Sequence, residues 1–196
     1  MLGHPCIPRY DSVLSGRYRD NVLGADNQQE RLSSTEARRW FMAGVVEGEG
    51  SWCLSIKKHP TAALGYYVQP EFFVYQHRCR RQLLEMAQEV FGCGRISPKP
   101  GNPDVLVFAI MSRPAISEHV LPFMRRYMGF SSRKADMELF EDAMRRYELR
   151  EHLRPDGLAA IVEIAYAMNM NGKQRKRPMD EVLNRILRGH TLNTSG

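Results

Sequence analysis

An α+β fold, with the element order α-β-β-α-β-β-α and further helices at its C-terminal end, is what this sequence predicts. Three observations carry it. Phe41, Gly44, Val45 and Gly48 fall at i, i+3, i+4 and i+7, one face of a helix, and from Ser51 the period drops to two, with Trp52, Leu54 and Ile56 alternating against polar neighbours. The same switch between helical and strand spacing recurs further along. Glycine and proline clusters stand at the breaks. Four strands in this order make one mostly antiparallel sheet, with helices on one face and the other face open.

At 196 residues one domain is the default. Residues 1–31 have no sustained period and are rich in polar and turn-forming types, so they read as a mostly irregular extension. Residues 32–190 form the domain and 191–196 a tail. Ser33-Ser34-Thr35-Glu36 has capping-box spacing, which starts a helix near Ser34. The strand that follows it ends at His59-Pro60. A second strand runs from Gly65 to Gln76, and Pro70 inside it predicts an edge position or a bulge. Leu83, Leu84, Ala87 and Phe91 share one side of a helix over Gln82–Phe91, which Gly92-Cys93-Gly94 stops. Arg95–Lys99 and Asp104–Met111 make a second hairpin around Pro100-Gly101-Asn102-Pro103. Pro114–Tyr127 is a helix that Pro122 can kink. Ser131-Ser132 opens another, from Lys134 to about Leu153, ended by Pro155-Asp156-Gly157. Leu158–Met170 and Met179–Leu187 are two more.

A net charge of +6 and a pI near 9.3 point to a polyanionic partner without identifying it. Cys6, Cys53, Cys79 and Cys93 have no metal-ligand spacing and read as reduced thiols in a reducing compartment. No apolar run approaches membrane-spanning length, and the N-terminus lacks a secretory apolar region. A soluble, unsecreted protein is expected.

The chain is organised around Trp40 to Trp52, where a helix runs into a strand with Glu47 and Glu49 at the junction. Gly44 and Gly48 each cost about 1 kcal/mol relative to alanine in a helix interior, which makes sense if another backbone must come close. In one reading Gly48 or Gly50 is a C-cap and both acids are solvated. In the other, the acids sit at the helix end whose dipole disfavours carboxylates, and a divalent cation removes the conflict.

Met42-Ala43-Gly44-Val45-Val46-Glu47-Gly48-Glu49-Gly50 resembles the nine-residue signature of the LAGLIDADG homing endonucleases. The resemblance extends from about Ser34 to about Arg188. The signature occurs once, as in the single-motif branch whose members work as homodimers. It implies a LAGLIDADG homing-endonuclease-like αββαββα core with a four-stranded antiparallel DNA-binding sheet saddle. It also implies metal-dependent cleavage of both strands of a long pseudo-palindromic DNA target, with Mg²⁺ or another divalent cation such as Mn²⁺.

The residues divide accordingly. Phe41, Gly44, Val45 and Gly48 form the dimer face. Glu49 and the backbone at Gly48 hold the metal, and Glu47 supports the helix end. Glutamate stands at 49 where aspartate is usual. By resemblance Gln76 orders active-site water and Arg80 lines the cleavage site, with no gap between Glu49 and Gln76. A basic residue completes the pocket in the family. Strict register puts a serine there, so Arg133 or Lys134 supplies the charge, or both merely flank a helix N-cap.

If Trp52, Leu54 and Ile56 face the helices, then Ser51, Cys53, Ser55, Lys57 and His59 face outward together. Tyr67, Gln69, Glu71 and Phe73 share one parity on the second strand, and Arg95, Ser97 and Lys99 on the third. By resemblance these read base edges, which the major groove permits for a two-stranded ribbon. A plain solvated sheet face has the same pattern. Arg78 and its neighbours in Gln76-His77-Arg78-Cys79-Arg80-Arg81 suit phosphate, or form a basic loop beside a helix start. Lys173, Arg175, Lys176 and Arg177 form a dense basic run between two helices, which on its own reads as a solvated linker or a nuclear-localisation-like cluster; by resemblance the equivalent loop grips DNA backbone. Two rival functions keep the sequence features: a non-cleaving relative, either an RNA intron-splicing cofactor or a DNA-binding regulator, and a basic domain that assembles with proteins.

Overall fold

The computed structural model describes residues 34–168 and 177–191. The Lys173-Arg175-Lys176 part of the basic run and the N-terminal extension lie outside them. Helix α1 (Ser34–Glu49) leads without a loop into β1 (Gly50–Lys58), which pairs antiparallel with β2 (Tyr66–His77). A 3-10 turn over Arg78–Arg80 precedes α2 (Arg81–Phe91), followed by the hairpin β3 (Arg95–Lys99) and β4 (Asn102–Ile110). The spatial order is β1-β2-β4-β3, so two hairpins meet through β2 and β4. This is the expected α-β-β-α-β-β order around one antiparallel sheet.

The core lies on the side of the sheet that carries the helices. Met42 and Val46 of α1 are fully buried, as are Phe72 and Val74 of β2, Leu84 and Ala87 of α2, and Phe108 of β4. Fully burying one such aliphatic or aromatic side chain contributes about 1.5–3 kcal/mol. Phe91 joins the layers, with its ring 5.1 Å from that of Phe72 and 4.8 Å from that of Phe123. Gly92 ends α2 in the left-handed conformation (φ 65°) and donates its N–H to Gln88 O at 2.9 Å.

Pro70 occupies an edge without a bulge. The β1–β2 register runs unbroken through Leu54 opposite Pro70, while β4 pairs with β2 only from Phe72 onward. On that flank, position 70 has no β4 partner for the N–H that proline lacks.

The stretch around Pro122 divides into α3 (Arg113–Ala115), a π-helical segment over Ile116–Val120, and α4 (Leu121–Tyr127). Pro122 cannot bond back to Glu118, and the wider turn takes up that missing bond. Helix α5 (Lys134–Glu148) stops five residues short of the expected Leu153. Arg150 turns left-handed at φ 58°, and a 3-10 turn over Glu151–Leu153 follows. Pro155 does not merely end a helix but opens the next, α6 (Pro155–Ala167), at the position where its missing N–H costs nothing. α7 spans Met179–Thr191. No helix among the described residues is long and apolar enough to cross a membrane.

Candidate active site and nucleic-acid interface

The end of α1 is built by residues far away in sequence. Glu47 Oε2 accepts from Ser131 Oγ at 2.7 Å, and its Oε1 accepts from Ser132 N at 3.0 Å and Ser132 Oγ at 2.6 Å. The hydroxyls of Ser132 and Ser131 are the largest causes holding the Glu47 carboxyl below its ordinary range. Arg133 takes the helix end itself. Its guanidinium donates to Val46 O at 2.8 Å, Glu47 O at 3.1 Å and Gly50 O at 2.9 Å, and lies 4.0 Å from the centre of the Trp52 ring. Burial pulls its pKa down, opposed by Glu47 and Asp136. A cation on the last carbonyls answers the dipole conflict posed by Glu47. Gly50 is required at the exit, because a Cβ there would stand 2.4 Å from Val46 O.

Glu49 is different. Its carboxylate is exposed, and it makes no hydrogen bond or ion pair with any described residue. Gly48 beside it is exposed too. No three His, Cys, Asp or Glu side chains converge on one point among the described residues. One chain therefore contributes a single unpaired carboxylate at this corner, with main-chain oxygens beside it.

Gln76 faces the same corner of the sheet. Val74 pairs with Gly50, so β2 continues past the α1–β1 junction for two residues to reach it. Its side chain is 8% exposed on the helix side of the sheet, and its Oε1 accepts from His77 N at 3.1 Å. Arg80 is exposed on the 3-10 turn that follows. Arg78 lies on the same turn, 3.5 Å from Asp104. Lys134 opens α5 next to the Arg133 clamp and is exposed. Glu47 and Arg133 thus tie the α5 start to the α1–β1 junction, and the 3-10 turn begins two residues beyond Gln76.

On α1, Phe41, Gly44 and Gly48 are exposed and Val45 half-buried. A Cβ added at Gly44 or Gly48 would meet nothing within 4 Å in this chain. The close approach that would explain these glycines does not come from the described part of the chain.

The open face of the sheet has the predicted parity. Ser51 pairs with Phe73, Cys53 with Glu71, Ser55 with Gln69 and Lys57 with Tyr67, while Arg95, Ser97 and Lys99 lie on β3, separated from β2 by β4. His59 lies just past β1, its ring 5.8 Å from that of Tyr67. Glu71 departs from the expectation of an open position: it is only 6% exposed. Lys57 Nζ donates to Glu71 Oε1 at 2.8 Å and to Gln69 Oε1 at 2.7 Å, and Ser55 Oγ donates to Glu71 Oε2. The Cys53 thiol reaches Glu71 Oε2 at 3.8 Å, and burial pushes its pKa up to about 11.

Two members of this face escaped sequence reasoning. Tyr75 continues the parity of Phe73, with their rings 5.9 Å apart and Lys99 Nζ 5.2 Å above it. His77 continues it again, and both lay within reach of the same count. Arg177 lies by the start of β2, with its guanidinium 6.0 Å from the centre of the Tyr66 ring and 4.0 Å from Glu181, and its backbone carbonyl accepts from Tyr166 Oη at 2.7 Å.

The family model described as LAGLIDADG endonuclease matches residues 42–144, just over half of the chain. The chain belongs to the LAGLIDADG endonuclease family. It is 41% identical over 106 residues to the DNA endonuclease I-CeuI of Chlamydomonas moewusii, covering 54% of this chain and 49% of that protein. This chain thus spans about half the length of that relative. The homing endonuclease I-ApeII of Aeropyrum pernix is 25% identical over 147 residues, 73% of this chain and 86% of I-ApeII. Among solved structures, the archaeal intron-encoded homing endonuclease I-Vdi141I complexed with DNA superimposes with a TM-score of 0.73 at 26% identity, over 79% of this chain and 98% of that one. I-CeuI complexed with DNA gives 0.71 at 30% identity, over 80% and 77%.

Proposed function

We propose that this protein is a site-specific DNA endonuclease that acts as a homodimer and cuts both strands of a long pseudo-palindromic target with a divalent cation. The observation that carries the reading is Glu49: an exposed, unpartnered carboxylate on a corner whose other groups are held in place. Its oxygens and the main chain at Gly48 are the hard donors that Mg²⁺ or Mn²⁺ prefers. A single chain offers too few ligands, which fits a site shared with water, DNA phosphate and a second chain.

The second chain would dock on Phe41, Gly44, Val45 and Gly48. That packing brings two copies of Glu49 to the two-fold axis and sets half-sites about one helical turn apart, for a target of roughly 20 bp. A cation bound there supplies a water acidified for attack on phosphorus. The residues of the chain do the rest. Gln76 orients the attacking water, while Arg80 and Lys134 neutralise charge developing on the phosphate. Arg133 and Glu47 hold the α1 terminus so that Glu49 keeps its place. The outward sheet residues enter the major groove, and Arg78, Lys173, Arg175, Lys176 and Arg177 bind phosphates.

Incubating a randomised duplex library with the protein in Mg²⁺, in Ca²⁺ and in EDTA tests this reading. Cutting at one enriched sequence in Mg²⁺ alone is expected. Tight selection of one duplex without cutting in any metal would point instead to a DNA-binding regulator, and preference for structured RNA to a splicing cofactor.

A further inference from the structure

We propose that Glu71 is a positioning residue, which fixes Lys57 and Gln69 as a donor-only pair that reads guanine at an outer base pair of each half-site. This rests on the sheet being the DNA-reading face.

Glu71 points to the open face but is closed off. At 6% exposure, both carboxylate oxygens are taken, Oε1 by Lys57 and Oε2 by Ser55 and Cys53. A cytosine amino group looking for an acceptor would have to break that network. With burial holding its pKa near 11, the Cys53 thiol keeps its proton for Glu71.

The network also decides what Gln69 offers. Lys57 Nζ stands 2.7 Å from the Gln69 side-chain head. An ammonium only donates, so the atom facing it must be the amide oxygen, and the NH₂ group is turned away. One of its hydrogens points to Met111 O at 3.5 Å, a weak partner. Lys57 spends two of its three hydrogens on Glu71 and Gln69. What remains toward the groove is one ammonium hydrogen and the Gln69 amide hydrogens, with the Gln69 oxygen turned to Lys57 and the Glu71 oxygens buried.

Such a pair matches guanine, which presents two adjacent acceptors, N7 and O6, in the major groove. Adenine pairs its N7 with an amino donor and needs the acceptor that Gln69 turns toward Lys57. Cytosine presents a donor. Thymine offers one acceptor beside a methyl group. Lys57 lies eight residues beyond Glu49, on the order of 25 Å along the strand, so the base pair read is an outer one of the half-site.

Selection from the randomised duplex library in Ca²⁺, by the wild type and by Glu71→Gln, tests the assignment, together with 7-deazaguanine placed at the selected guanine. The wild type is expected to select guanine at an outer position, and 7-deazaguanine there to weaken its binding by roughly tenfold. Glu71→Gln should lose that one preference by about the same factor, with all inner positions unchanged. The base analogue needs no variant, so the result stands even if Glu71→Gln folds poorly. Outer adenine or cytosine, indifference to 7-deazaguanine, a Glu71→Gln site identical to wild type, or one degraded at every position in a variant that unfolds at the wild-type temperature, would overturn the proposal while leaving DNA reading intact. Enrichment of no duplex at all would overturn both.

Discussion

Glu47 Oε1 accepts both the backbone N–H of Ser132, at 3.0 Å, and its hydroxyl, at 2.6 Å, across 85 residues of sequence. This bond pair joins the end of the motif helix to the start of α5. The acid nearer the middle of the motif is thereby structural, and only Glu49 is left open.

A pH signature follows. The folded pKa of Glu47 lies below its ordinary value, with the Ser132 hydroxyl the leading cause. The stabilisation is therefore present above the unfolded glutamate pKa, about 4.3, and is lost as pH falls through the lower folded value. Ser132→Ala should cost about 1–2 kcal/mol at pH 7 in urea unfolding. The gap from wild type should close as pH falls below about 4. A gap that stays constant to pH 3 would contradict the linkage.

Arg133 makes a prediction of geometry rather than charge. Its forked head serves three carbonyls and covers Trp52, which a lysine head cannot reproduce. Arg133→Ala should lose about 2–3 kcal/mol in urea unfolding, and Arg133→Lys should recover less than half of it. Equal stability of the lysine variant and wild type would remove the clamp.

How much of this was legible in the sequence depends on range. The α1–β1 junction and the β1 parity were legible because both are local periodicities, as was the helix stop at Gly92. The Glu71 network was hidden, since parity gives the face but not the cross-strand neighbours that bury a carboxylate. Arg133 was assigned a charge to supply but not its partners, which lie more than 80 residues back. The α5 end was misjudged because Arg150 turns left-handed at φ 58° without the glycine that usually signals it.

The proposed dimer face on α1 separates folding from assembly. Gly44 has open space around it in this chain. Gly44→Leu should leave the monomer as stable as wild type or more so, by up to about 1 kcal/mol of helix propensity. It should abolish the dimer in sedimentation. A dimer that survives the leucine would move the interface elsewhere.

The basic run predicts a salt dependence. Replacing Lys173, Arg175 and Lys176 by glutamine should weaken binding to all duplexes alike. The slope of log K against log salt should flatten by roughly 0.9 for each phosphate that is no longer neutralised. An unchanged slope in salt titrations would exclude phosphate binding by this run.

Everything proposed for the chemistry turns on Glu49 as the metal-holding carboxylate, and Glu49→Gln on the library-selected target probes it without intermediaries. Cleavage in Mg²⁺ should fall by at least about 100-fold, with the dimer and the affinity for the target in Ca²⁺ retained. Cleavage by Glu49→Gln at the wild-type rate would contradict that role.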